Sequence, residues 1–440
     1  MSQNSAVMQA VEALDYRVTV GDVAAQAGLD LNVAQQGVIA LAADTQAHLQ
    51  VSETGEIAYE FPNNFRAVLR NKYLRLQLQE TWSRIWRVLF YLIRISFGIL
   101  LVLSILVIVA AITILVIAAS ASRQDDDRDG GSFGGMMFIP RFWIGDLFWF
   151  FHYDYGYGSR PRRSRTNSRR GSNDGGMNFL ESIFSFLFGD GDPNNNLEER
   201  RWRSIGSVIQ NNGGAIAAEQ ALPYLEAPIE DRAQDADDYV LPVLTRFNGI
   251  PEVSPQGDII YHFPELQVTA SDRARVPVSA YLKENPEPFS KAKSGQITAA
   301  IALGAVNFVG AIILGGLLQD QALVQQIGGF VAFVNGIYWL LLGYGTAFLA
   351  VPAIRYLWLK RKNSQITGRN EARQERAIAL NDAGSAIQAK IAFAQQFAAA
   401  TVVSKENLAY TTETDLTEQE YEQREKLDAE WQQRLDAADS

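Results

Sequence analysis

Apolar residues gather into long blocks separated by mixed, patterned sequence. The first block, Trp86 to Ser120, carries Arg94 as its one charge, and Ser96 to Ala119 alone supplies 24 residues. A hydrocarbon core of ~30 Å needs about 20 helical residues, so this block predicts a membrane-spanning helix. Ile297 to Leu318 and Ile327 to Ile354 predict two more, joined as a hairpin by Gln319 to Gln326. Small residues recur along the hairpin at spacings that let backbones approach closely, which makes Gly304, Gly315, Gly328, Ala332 and Gly336 the expected packing positions. Asn307 and Asn335 lie at similar depth and are expected to hydrogen-bond each other or to face a partner helix.

Outside these blocks the periodicity shortens. Val7 to Leu14 reads as a helix, Arg17 to Val20 as a brief strand, and the stretch after Gly21 as two helices parted near Gly28–Asp30, with Asp30 placed to cap the second. Two alternating strands follow about Glu53, Thr54 and Gly55. That hairpin, "VSETGEIAYEFP" from Val51 to Pro62, returns as "VSPQGDIIYHFP" from Val253 to Pro264. Before the second copy come a helix over "RWRSIGSVIQNN", another from Ala215 to Leu225 and a third from Asp237 to Phe247. Apolar positions coincide: Val38 with Val240, Ile39 with Leu241, Leu41 with Val243, Ile57 with Ile259, Tyr59 with Tyr261. The order is that of a winged helix, used twice.

Charge decides what such modules can hold. Net charge is −10, and the first third helix, "DLNVAQQGVIALAAD", contains no Lys or Arg. Its counterpart, "DADDYVLPVLTRF", sets one Arg against three Asp. Duplex DNA is held by neutralising phosphates, so DNA is not expected as a partner. The modules are expected to bind protein, each other or a second copy of the chain.

Between the first and second spans, residues 122–178 read as a linker. Its aromatic stretch, Met136 to Phe151, suits a membrane interface, while Arg141 and Asp146 make a full crossing costly. Arg160, Arg162, Arg163, Arg165, Arg169 and Arg170 form a basic arm expected to lie on anionic lipid. RNA is disfavoured, because the aromatics precede this patch and do not interleave with it. Phe179 to Leu187 forms an apolar helix face for the membrane or the second module. Asp190, Asp192, Asn194, Asn196 and Glu198 alternate as in a calcium loop, but Asn195 and Arg201 stand where glycine and a bidentate glutamate belong, so a loop capping the next helix is expected. Further on lie an Ala-rich helix and a last helix with a capping box at Thr417 and Glu420.

Basic residues flank the outer ends of the hairpin, Lys283, Lys291 and Lys293 before it and "RYLWLKRK" after it, so both ends face the cytoplasm or stroma. Arg84, Arg87 and Arg94 put the first module on that side too. A single span between the modules would then part them, unless Met136 to Phe151 re-enters or crosses.

The chain has no cysteine and only three histidines, His48, His152 and His262. Disulfides, thiol catalysis and all-cysteine iron–sulphur ligation are therefore excluded, and no catalytic residue, cofactor or metal is expected. The N-terminus lacks the basic and apolar regions of a cleavable signal peptide.

"FSFLFGDGDPNNNLEERRW", "NNGGAIAAEQALPYL" and "VSPQGDIIYHFP" together resemble a membrane family of cyanobacteria and plastids whose plant members carry the label "iron-sulphur cluster biosynthesis family protein". The resemblance covers most of the chain and is most specific between Phe179 and Pro264; it implies a thylakoid or chloroplast-envelope setting and no catalytic residues. The expected fold class is mainly α: an integral membrane protein with two winged-helix-like α+β modules, three transmembrane helices and a C-terminal helical region. The expected boundaries are residues 1–65 for the first module, 66–121 for the lead-in and first span, 122–178 for the linker, 179–270 for the amphipathic helix and second module, 271–295 for a second linker, 296–356 for the hairpin and 357–440 for the tail. The expected function is a non-enzymatic scaffold or assembly factor, with a transporter or channel component as the alternative.

Overall fold

A computed structural model describes residues 3–72, 74–122, 177–226, 238–272, 275–382, 384–421, 424 and 431–432. The protein is mainly helical and divides into two units. The first comprises Met1–Glu80, Pro193–Pro286 and Ser364–Ser440; the second comprises Thr81–Asp192 and Glu287–Asn363.

In the first unit the chain begins α1 (Gln3–Ala13), β1 (Arg17–Val18), α2 (Val20–Ala27), α3 (Leu31–Thr45), β2 (His48–Ser52), β3 (Ile57–Glu60) and α4 (Phe65–Lys72). Asp30 caps α3, its Oδ1 accepting from the amides of Asn32 at 2.9 Å and Val33 at 3.4 Å. Gly55 takes φ +87° in the β2–β3 turn, a conformation that favours glycine. β1 pairs with β3 and β3 with β2, all antiparallel. After Pro193 come α7 (Leu197–Asn211), β4 (Ala215–Ala217), α8 (Ala218–Ala221), α9 (Leu241–Phe247), β5 (Ile250–Val253) and β6 (Ile259–His262). These strands are ordered β4-β6-β5, with Tyr261 opposite Ile216 as Tyr59 is opposite Val18. The helix expected from Ala215 to Leu225 is thus a strand, a single helical turn and a 3-10 turn. Tertiary pairing to Tyr261 draws Ala215–Ala217 out of the helical pattern.

The two sets of elements share one hydrophobic core. Val23, Ala24 and Ala25 of α2 join Trp202, Ile205 and Ile209 of α7 in it, together with Val38, Val243 and Phe247. Small residues set the spacing: a Cβ built on Gly206 would lie 2.8 Å from the Cα of Ala25. At the start of α2, Thr19 and Asp22 cap one another and are both buried. Thr19 Oγ1 also donates to the Val268 carbonyl at 3.0 Å, and Asp22 Oδ2 accepts from the Ala270 amide at 2.9 Å. These bonds hold α10 (Pro264–Gln267) and β7 (Val268–Thr269) over α2. Gly21 makes this fit possible, since a Cβ there would lie 1.9 Å from the Glu265 carbonyl oxygen.

The tail belongs to the same unit and is less helical than expected. It supplies α14 (Ser385–Gln395), β8 (Thr401–Val402), which pairs with β7, and β9 (Leu408–Thr411), which pairs antiparallel with the free edge of β2. Leu49 donates its amide to Thr412 Oγ1 at 2.8 Å and accepts from the Thr412 amide at 3.0 Å. Short segments rich in Thr, Val and Tyr suit strands once an edge is offered to them. The helix after β9 starts at Leu416, so Thr417 lies inside it and does not cap it.

The second unit contains three helices long and apolar enough to cross a membrane. Its apolar parts belong to α5 (Leu74–Ser122), α11 (Ser294–Leu317) and α13 (Gly329–Asn381), with the short α12 (Gln321–Ile327) between the last two. The boundary expected at residue 357 falls inside α13, which runs on without a break past Pro352. α6 (Phe179–Phe188), expected on the membrane or the second module, falls in the second unit. Its Ile183, Phe186 and Leu187 are buried with Leu101, Ile105, Ala300, Leu303 and Phe348, because a helix this apolar buries most area among other apolar helices. Met136 to Phe151 and the basic arm, Arg160, Arg162, Arg163, Arg165, Arg169 and Arg170, lie outside the described residues.

Gly21→Ala forces a Cβ onto a carbonyl oxygen and is expected to destabilise the first unit by about 1–3 kcal/mol or more. Thermal unfolding of the detergent-purified chain checks this, and an unchanged midpoint would contradict the packing described.

Candidate functional site

Helix α3 buries Leu31, Ala34, Val38, Leu41 and Thr45 and turns Asn32, Gln35, Gln36, Ile39, Ala40 and Ala43 outward. The outward face bears no charge, and Ile39 is 47% exposed at its centre. In α9 the matching position, Leu241, is 53% exposed, with Pro242 and Thr245 beside it. The one cation of either helix, Arg246, faces inward. It donates to the Gly28 carbonyl from Nε at 3.1 Å and from a terminal nitrogen at 2.6 Å, and lies 4.4 Å from the Trp202 ring centroid. Burial lowers its pKa from the ordinary arginine value, against the opposing pull of Glu198 and Asp30. A phosphate backbone would meet no positive charge on either face. Neutral amides, Ala and an exposed aliphatic residue on a helix suit another protein.

A second feature of the first unit is an ionic clasp on an extended strap. Glu284 is buried and accepts from Arg369 Nε at 2.9 Å, from a terminal Arg369 nitrogen at 2.6 Å and from Arg373 at 2.7 Å. Asn370 reads the strap backbone in both directions, accepting from the Glu284 amide at 2.9 Å and donating to its carbonyl at 2.8 Å. Asn194 treats Asn285 in the same way, at 2.7 and 2.8 Å. The loop expected to cap α7 therefore clamps the strap, and Asn196, at the N-cap position, makes no side-chain cap bond. Burial raises the Glu284 pKa, but hydrogen bonds from Arg369 and Arg373, with their charges, outweigh it and hold the carboxyl below the usual carboxylate range. Burial pushes the nearby Tyr224 phenol up to about 12 while its hydroxyl donates to the Ser279 carbonyl at 2.6 Å.

Within the second unit, the expected packing residues separate. A Cβ on Gly304 would lie 2.5 Å from the Phe348 ring, and one on Gly315 would lie 2.0 Å from the Tyr338 hydroxyl, so both admit a close neighbour. Asn307 is buried and accepts from the Ser104 hydroxyl at 2.9 Å, so its partner is on the first span and not Asn335. Gly328 ends α12 at φ +61°, Ala332 is exposed, Asn335 is half-buried, and a Cβ on Gly336 would meet nothing within 4 Å. The third span instead turns Val331, Val334, Tyr338, Leu341, Gly345 and Phe348 to its neighbours. Those positions alternate steps of three and four, the heptad seam of packed helices. Gly345 is the close-approach residue that small-residue spacing missed: its Cβ would lie 3.2 Å from the Phe308 Cα. Reading the heptad would have found it.

Among the described residues, no group of three or more His, Asp or Glu is placed to hold a metal ion. Asp190 meets Arg94 at 3.0 Å and accepts from the Lys291 amide at 2.7 Å. Arg201 pairs with Glu198 and Glu226.

Over 429 residues, 94% of this chain and 80% of the plant protein, the sequence is 39% identical to the uncharacterized chloroplastic protein At5g03900 of Arabidopsis thaliana. No protein-family model matches the chain, and no solved structure matches it.

Glu284→Gln leaves Arg373 buried beside a neutral group and is expected to cost about 3–5 kcal/mol. A carboxyl with a lowered folded pKa stabilises fully above its unfolded value, and that contribution disappears as pH falls through the folded value. Thermal unfolding against pH should therefore show a shallower acid limb in Glu284→Gln than in the wild type; parallel limbs would exclude the clasp as its source.

Proposed function

The chain belongs to the same family as that chloroplastic plant protein, and on this premise we propose that it is a non-enzymatic scaffold or assembly factor of a thylakoid-type membrane, displaying two winged-helix-type modules for protein contacts. Helix, strand, two helices and a hairpin occur in each half of the first unit, and the strand orders β1-β3-β2 and β4-β6-β5 correspond. That correspondence supports a duplicated module. The three apolar helices and the chloroplastic relative support a plastid-type membrane, with the modules on its stromal or cytoplasmic side by the positive-inside rule.

The observation that carries the reading is the uncharged outer face of α3, with Arg246 withdrawn to Gly28 and Trp202. The modules meet through α2 and α7, and both third helices keep solvent-exposed residues for other partners. The iron–sulphur label of the similar plant proteins has no thiolate to act through here, as the chain contains no cysteine. A transporter reading rests on one feature, Asn307, whose Nδ2 is buried without a hydrogen-bond partner among the described residues.

Crosslinking with mass spectrometry in native membranes tests the proposal. Ile39→Glu puts a charge at the centre of the neutral face and should reduce crosslinks to a membrane-complex subunit about tenfold, as loss of a central contact does. The protein should remain membrane-bound. Retention on duplex DNA at physiological salt, or a crosslink set without any membrane-complex subunit, would overturn the reading.

A further inference from the structure

The first two apolar helices of the second unit run in the same direction. Leu101 and Ile105 of α5 pack in one cluster with Ala300 and Leu303 of α11, and Ile108, Ala111 and Leu115 pack in a second with Ala311, Leu314 and Leu318. Residue numbers rise together on both helices, whereas on α13 they fall, from Phe348 in the first cluster to Val331 and Val334 in the second. Ser104, beside Ile105, donates to Asn307, beyond Leu303, and fixes the register.

Polar contacts mark the end where α11 begins. Gln296 donates to the Met177 carbonyl at 2.8 Å, Lys291 donates its amide to Asp190, and Arg355, beyond Phe348 on α13, donates to the Ser185 and Phe186 carbonyls at 3.2 and 3.1 Å. Arg94, about two turns before Leu101 on α5, meets Glu181 and Asp190 there. Met177 is thus at the end of the bundle where α5 enters, while α5 itself leaves at Ser122, 28 residues past Arg94 and about 42 Å along the helix axis. That length exceeds a hydrocarbon core of ~30 Å.

We infer that Ser122 and Met177 lie on opposite faces of the membrane. The inference rests on the reading of the three helices as spans. Two consecutive parallel spans place the end of the first and the start of the second on opposite faces. The shared core of the first unit requires the same parity independently. Val23 and Ile205, on either side of the interval, are buried in one cluster, so the chain must be back on its starting face before α7. The parting of the two modules that a single intervening span would impose is thereby removed. Ser122 and the link to α12 share the far face; Met177, Lys291 and Arg355 share the near one.

The absence of native cysteine allows the whole protein to be read one thiol at a time. Ser122→Cys, Gln319→Cys, Asn178→Cys and Lys291→Cys would each be probed with a membrane-impermeant maleimide in sealed vesicles, before and after detergent. Ser122→Cys and Gln319→Cys should behave alike, and opposite to Asn178→Cys and Lys291→Cys. Modification of Ser122→Cys and Asn178→Cys from the same face would overturn the inference while leaving the spans intact. Release of the unmodified chain by alkaline carbonate would instead overturn the spans, and the inference with them.

Discussion

The close approach of Ala25 to Gly206 governs how the first unit can be built. With any larger residue at Gly206, α2 and α7 would stand apart, and the core that joins Val23, Ile205, Val38 and Phe247 would open. Because they are joined, the two halves of the first unit share one core, although residues 66–196, with the apolar helices α5 and α6 among them, separate them in sequence. Each module alone has few strands and a small apolar face, and domains of that size bury too little area to be secure. Mutual packing supplies the missing partner surface. It uses mainly α2 and α7, with Arg246 of α9 reaching the Gly28 carbonyl, and leaves the outer faces of α3 and α9 exposed.

The strap shows a different use of regular geometry. In the first unit Arg369 and Asn370 meet Glu284, the cation on the carboxylate and the amide on the backbone. In the second unit Lys362 and Asn363 do the same to Glu287, at 2.5 Å for the ion pair and 2.8 Å for the Asn363 bond to its amide. A buried ion pair contributes little net stability against an apolar equivalent but punishes misplacement strongly. Here it fixes register: the strap cannot slide by one residue without leaving Arg373 and Glu284 unpaired in a buried site.

Local signals in the sequence were read well. Asp30, Gly55 and the β2–β3 alternation act over a few residues, and each element they announce is present. The apolar blocks were equally legible, because span length depends on composition alone. Tertiary choices were not. Ala215–Ala217 has helical propensity and becomes a strand because Tyr261 offers it an edge; the tail looks helical until β2 offers one to Leu408–Thr411. The neutral face of α3 could be read from its residues, whereas the withdrawal of Arg246 depends on Gly28, far away in sequence. A Cβ on Gly304 or Gly315 would meet a neighbour and one on Gly336 would not, since small-residue spacing says where backbones can approach and not which face is turned inward.

β2 and β5 solve the problem of an open sheet edge by opposite means. Leu49 presents an outward amide that Thr412 of the tail occupies. On β5 the residue opposite Tyr261, as Leu49 is opposite Tyr59, is Pro251. Ser254 directs its amide inward to Asp258, so by alternation Pro251 sits where an outward donor would be, and it has none. A strand approaching β5 at that position meets no donor, whereas the outward amide of Leu49 on β2 is already taken by the chain's own C-terminal segment. A single imino acid thus makes the two hairpins unequal as edges for the C-terminal segment to pair with.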